Sequence, residues 1–181
     1  MRIHVLSNRV RHLTYAAVYL ALAIILPFLT GQIPEIGAML CPMHIPVLLC
    51  GFACGWPWGL AVGLIAPLLR SALFGMPKLY PTAIAMTFEL ATYGLISGLL
   101  YRRLPKRTWS VYVSLIAAMV AGRLVWGGAQ YILLTTQGTV FTMKMFLAGA
   151  ITTTIPGIIL HVILIPVLVL MLRKTKLLLN Q

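Results

Sequence analysis

Four ionisable residues of this sequence stand inside apolar runs, where a charge is hardest to keep: Arg70, Glu89, Arg123 and His161. Glu89 is one of only two acidic residues in the chain, against fourteen Lys and Arg. A charge at mid-membrane costs at least ~2.5 kcal/mol, so it should face other helices and find a partner there. Helical spacing gives the direction. Glu89 shares a stripe with Thr82, Tyr93 and Ser97; Arg123 shares one with Trp126, Gly127 and Gln130; His161 shares one with Gly157 and Thr154. Arg70 falls near the end of its run, beside a loop. His44 opens another run between Pro42 and Pro46.

Two chemistries suit this set. In one, Glu89 pairs with Arg123 or Arg70 and only fixes helix register. In the other, Arg70, Arg123, Glu89, His44, Tyr93, Trp126 and Gln130 form a pocket for a small polar solute. Two arginines against one glutamate leave a surplus positive charge, and an arginine fork holds a carboxylate or phosphate in two hydrogen bonds. The second reading therefore favours an anionic ligand. Tyr93 and Trp126 are packing aromatics or stacking surfaces for a planar ligand. His44 is better placed than His161 to touch a ligand entering at the loop end.

The elements that position these residues follow from composition. The chain has 181 residues, 61% hydrophobic and 9% charged, where a soluble domain carries about a quarter charged. The apolar runs do not alternate as barrel strands would. The fold class expected is all-α integral membrane, one domain over 1–181 with six transmembrane helices at about 13–30, 45–55, 57–74, 81–101, 109–135 and 146–172. The second is too short to cross upright unless it merges with its flanks, so five spans stay open. The stretch 31–44 reads as non-helical, and GWPWG as a tight turn. No cleavable signal peptide is expected.

The net charge of +12 reads as positive-inside topology, with no nucleic-acid partner. Arg2, Arg9 and Arg11 precede the first span. Arg102, Arg103, Lys106 and Arg107 lie between the fourth and fifth, and Arg173, Lys174 and Lys176 follow the sixth. All three clusters share one side only if the span number is even. Both termini are then cytoplasmic, and 31–44, 74–80 and 136–145, with Glu35, Lys78 and Lys144, are outer connections. Small residues four apart mark tight helix contacts at Ala17/Ala21, Gly59/Gly63 and Gly94/Gly98, without naming a partner. Cys41, Cys50 and Cys54 lack the companions of a metal site and read as packing residues.

Absences exclude several functions. There is no phosphate-cradling GxxxxGK[ST] loop and no HExxH. GLISG (94–98) lacks the GxSG spacing of membrane serine proteases. Neither a metal nor another cofactor is expected, and the chain is not read as an enzyme. Ser97 with His161 is the one nucleophile–base pair an enzyme reading could use, both then on the cytoplasmic side. A stand-alone ion- or proton-coupled carrier titrating at Glu89 is the alternative, since a buried carboxylate can titrate near neutral pH. The missing internal repeat argues against it.

Six spans in about 180 residues, the AVYLA pair (Ala17, Ala21) and FGMP…YPTAIAMTFELATYG resemble the substrate-binding (S) components of energy-coupling factor (ECF) transporters, over nearly the whole chain. The resemblance implies a subunit of a prokaryotic plasma-membrane importer that binds a small water-soluble vitamin or micronutrient with high affinity. It implies a transmembrane coupling protein and two cytoplasmic ATPases as partners, docking through Ala17 and Ala21, and toppling in the membrane to deliver the ligand. It also implies that the three outer connections cover the pocket. Family ligands include riboflavin, thiamine, biotin, folate, niacin and pantothenate. The arginine surplus suits pantothenate or niacin better than thiamine.

Overall fold

Backbone polar groups in lipid must be satisfied within their own segment, and the apolar runs of this chain accordingly fold as helices. A computed structural model describes residues 2–30, 33–175 and 177–180, without the side chains of 2–8 and 34. The Arg2 side chain and Lys176 therefore lie outside the described residues. The helices are α1 (Arg2–Ile25), α2 (Pro34–Leu40), α3 (His44–Cys54), α4 (Trp56–Phe74), α5 (Ile84–Arg103), α6 (Thr108–Thr136), α7 (Met143–Leu147) and α8 (Ile155–Lys174). Six segments are long and apolar enough to span: Arg9–Thr30, Glu35–Cys54, Trp56–Phe74, Leu79–Arg103, Thr108–Thr136 and Met143–Lys174.

The second span corrects the sequence reading. The stretch 31–44 is not wholly irregular, because α2 occupies Pro34–Leu40. Proline fits the first turn of a helix, where its missing N–H costs nothing. Cys41 then turns left-handed (φ 48°) and ends α2. The chain re-enters at His44, so α2 and α3 together give the 20 residues that α3 alone lacks. At the other end of α3, Gly55 takes φ 93° and Trp56–Pro57 opens α4 directly.

The partner of each glycine pair is now visible, because α4 and α5 pack through theirs. A Cβ on Gly59 would sit 2.6 Å from the Gly94 carbonyl oxygen, and one on Gly98 2.5 Å from the Trp56 nitrogen and 2.7 Å from the Gly51 oxygen. Absence of side chains at these points lets backbones touch. α3 is wedged into the same slab: every residue from His44 to Cys54 is buried.

The two ends of the bundle differ. At one, His12 stacks on Trp58 with ring centroids 6.3 Å apart. The Leu179 and Asn180 N–H groups donate to the Ala53 carbonyl at 2.7 and 2.9 Å. Lys106 Nζ donates to the carbonyls of Tyr101 (2.7 Å) and Asn180 (3.2 Å). The start of α1, the α3–α4 turn, the α5–α6 loop and the C-terminal segment therefore meet. Arg9, Arg11, Arg102, Arg103, Arg107 and Arg173 belong to this end. The opposite end carries Ile33 at the start of α2 and the connections around residues 75–78 and 137–142.

Candidate functional site: a cavity opposite the arginine-rich end

The site is built where helices lose regularity. α1 finishes as a 3-10 turn (Leu26–Thr30), α5 is preceded by a kinked segment (Leu79–Ala83) with Tyr80 extended (φ −117°, ψ 134°), and α7 runs into a π-helical segment (Ala148–Thr152). Between these segments lies a cavity of about 670 Å³, with walls from α1, α2, α3, α4, α5, α6 and the α7–α8 region. That falls within the range of ligand pockets, roughly 300–1,000 Å³.

Its floor is a charge cluster. Glu89, 1% exposed, lies on the buried face of α5 with Tyr93 and Ser97. Arg123 Nη1 of α6 approaches Glu89 Oε1 to 2.9 Å, and His44 Nε2 of α3 approaches the same oxygen to 3.3 Å. Both are charge contacts without aligned hydrogen-bond geometry, so Oε1 accepts no hydrogen bond among the described residues. The His44 ring is edge-on to Tyr93, with centroids 5.2 Å apart, and stacks on His161 at 6.0 Å. Arg123 Nη2 also contacts Cys41 Sγ at 3.6 Å.

Arg70, by contrast, does not meet Glu89. Its Nη1 donates to the Ile24 carbonyl, and its guanidinium lies over the rings of Phe28 (4.9 Å) and Phe74 (5.4 Å). Arginine stacks readily on aromatic faces. Of the two candidate partners for Glu89, only Arg123 is in place. Arg70 instead joins the cavity wall beside the 75–78 connection.

Of the residues singled out from the sequence, Arg70, Glu89, Arg123, His44, Trp126 and Gln130 all line the cavity. Tyr93 does not: it lies behind Glu89, its ring against Gly122, where an added Cβ would collide. It therefore supports the floor and offers no surface for stacking. Trp126 is fixed between Phe141 and Phe146, each with centroids 6.4 Å away, and over Gly149. His161 is not on the arginine-rich side, since it stacks on His44 beneath the cavity. Ser97 packs at Gly51 and bonds the Gly94 carbonyl, so the Ser97–His161 pair has no geometric support.

Three wall contributions were legible only as regions. Lys78 lines the cavity from within 74–80, one of the outer connections that the resemblance puts over the pocket, but was not named as a site residue. α2, within 31–44, contributes Gly37 and Ala38, and Thr154, the residue before α8, joins the wall with its hydroxyl donating to the Ala150 carbonyl at 2.9 Å. Tyr80 ties the kinked segment before α5 to α6, its hydroxyl donating to the Leu133 carbonyl at 2.6 Å. Spacing from Glu89 pointed to Thr82 but not across the loop to Lys78.

Fold and site define a multi-span helical membrane protein with a ligand-sized cavity sealed at one end by a buried ion cluster. The family model described as ECF transporter, substrate-specific component matches residues 11–169. The chain belongs to that family: it is a substrate-specific component, a transport subunit and not an enzyme. Neither the curated proteins nor the solved structures yielded a match.

Proposed function

We propose that the chain is the high-affinity substrate-binding subunit of an ECF-type importer in a prokaryotic plasma membrane. Its cargo is a small water-soluble vitamin or micronutrient with an acidic group, of the size and charge of pantothenate or niacin. The ligand enters the cavity from outside, with both termini in the cytoplasm. The observation that supports this most is the cavity's charge: Glu89 is matched by Arg123, and Arg70 and Lys78 stand in the wall without an acidic counterpart among the lining residues. The orientation rests on the positive-inside rule, because the arginine clusters gather at the end away from the cavity.

A coupling protein and two cytoplasmic ATPases supply the energy, and the chain docks on the coupling protein through α1. Ala17 and Ala21 are exposed on α1, which leaves a small-residue face free for close helix contact. The experiment co-expresses the chain with a coupling module, purifies the complex, denatures it and identifies the released small molecule by mass spectrometry. Ala17→Leu and Ala21→Leu should abolish co-purification of the coupling protein and leave ligand binding within about twofold. A parallel loss of ligand binding would overturn the docking assignment. Release of a cation alone would overturn the acidic cargo.

A further inference from the structure

The floor of the cavity holds unmet hydrogen-bonding capacity that the Glu89–Arg123 pair does not use. Glu89 Oε1, Arg123 Nε and both ring nitrogens of His44 are buried and have no hydrogen-bond partner among the described residues. His44 is 2% exposed and Glu89 1%, and all three residues line the cavity. Buried polar groups are normally partnered, and a carboxylate can only accept, whereas a guanidinium can only donate. The residues of the floor thus carry an unmet acceptor, Glu89 Oε1, and an unmet donor, Arg123 Nε, together with a histidine able to do either.

Charge divides the cavity a second way. The Glu89 carboxylate is already opposed by Arg123 at 2.9 Å, so it offers little to a cationic group. The remaining formal charges of the wall, Arg70 and Lys78, are both positive and come from α4 and the connection that follows it. Trp126 of α6 supplies an aromatic wall.

The geometry points to a ligand read at two ends: an uncharged planar ring, carrying adjacent hydrogen-bond donor and acceptor atoms as in an amide or imide, seated on Glu89–Arg123–His44 beside Trp126, with an acidic substituent directed to Arg70 and Lys78. This rests on the reading of the cavity as the substrate site for an acidic cargo, and within that class it favours a ring with an amide or imide edge over pantothenate or niacin, which lack one. A ring N–H donates to Glu89 and the neighbouring carbonyl accepts from Arg123 Nε–H. An acid on a flexible chain without such a ring satisfies only Arg70 and Lys78 and leaves the floor unmet. A cationic ring places one more positive charge among three.

The test uses the purified full chain in detergent, stripped of endogenous ligand, and three probes measured by calorimetry. Orotate has both the imide edge and the carboxylate, uracil only the edge, and benzoate only the acid on a ring. Orotate should bind at least about tenfold more tightly than either, the size of one charged or buried hydrogen bond. Arg70→Gln and Lys78→Gln should lower orotate affinity toward that of uracil and leave uracil unchanged. If orotate is no tighter than benzoate, the floor assignment falls; if no tighter than uracil, the Arg70–Lys78 assignment falls. 1-Methylnicotinamide, methylated on the ring nitrogen and so a cationic planar amide, serves as a fourth probe. Its binding as tightly as orotate would overturn the two-ended reading while the substrate-site reading stood. Failure of all four probes would overturn the two-ended reading too; the substrate-subunit reading is judged separately, by co-purification with the coupling module.

Discussion

Glu89 and Arg123 should stabilise the bundle only as a pair. At 2.9 Å and an effective dielectric of about 20, their attraction is about 6 kcal/mol. Burying both charges costs several kcal/mol per ion, so the pair is close to neutral overall. Removing one member is different, because it leaves the other charged and buried: the cost is about 3–5 kcal/mol. Glu89→Gln and Arg123→Met should each lower the melting temperature of the ligand-free chain by roughly 6–20 °C, at about 2–4 °C per kcal/mol for this chain length. The double variant carries neither charge and should lose less than the sum of the singles by at least about 2 kcal/mol. His44, 3.3 Å from the same oxygen, stays beside Glu89 as a polar neighbour in Arg123→Met, so that variant should lose less than Glu89→Gln. The assay is a double-mutant cycle on thermal unfolding in detergent. Additivity within about 0.5 kcal/mol would refute the coupling.

Two further predictions concern packing. Gly94→Ala should cost at least 1–3 kcal/mol by overpacking, because the new Cβ runs into the Gly59 backbone. Gly128→Ala in α6, where a Cβ meets nothing within 4 Å, should be neutral or stabilising by up to about 1 kcal/mol; melting temperatures of the two separate packing from propensity. Asn180→Ala removes side-chain donors to the Gly51 and Gly98 carbonyls, at 3.4 and 3.1 Å. It should cost about 1–2 kcal/mol and expose the 177–180 segment to proteolysis, while ligand affinity stays within twofold.

What the sequence made legible was one-dimensional. The four-residue spacing placed Glu89, Tyr93 and Ser97 on one face of α5, and all three are buried there. The same spacing put Arg123, Trp126 and Gln130 on one stripe of α6, which the cavity shares. Pairing between elements was not legible. Helical periodicity cannot say whether Arg70 or Arg123 reaches Glu89, because the answer depends on how α4 and α6 sit around α5. Nor could it show that Arg70 is drawn to the Ile24 carbonyl and the Phe28 and Phe74 rings. α2 was hidden for a different reason. Seven residues between Pro34 and a left-handed Cys41 are too few for a hydrophobic period to emerge from glycine- and proline-rich surroundings. His161 was placed on the wrong side because its distance along α8 says nothing of the offset between α8 and α3.

The distribution of irregular backbone makes the argument for the cavity independent of any side chain. The 3-10 turn at Leu26–Thr30, the left-handed Cys41, the left-handed Gly75 (φ 68°), the kinked segment Leu79–Ala83 and the π segment Ala148–Thr152 all lie at the cavity end. At the opposite end, among the described residues, the Gly55 turn, the 104–107 loop and the 177–180 segment join or follow regular helices without distorting them. Irregular backbone at membrane depth persists where it is enclosed by protein or borders a cavity, and π turns concentrate at functional sites. α3, at the centre of the slab with α4 and α5, has no such slack, since every residue from His44 to Cys54 is buried. Ligand binding should therefore order the cavity rim and leave the slab unchanged. Hydrogen exchange by mass spectrometry on the chain, with and without its extracted ligand, reads this directly. Amides in 26–43, 75–83 and 148–154 should gain protection of about tenfold or more, and those in 44–54 and 90–98 less than twofold. Equal protection across both sets would mean that the ligand stabilises the fold globally, and that the irregular rim is not where it binds.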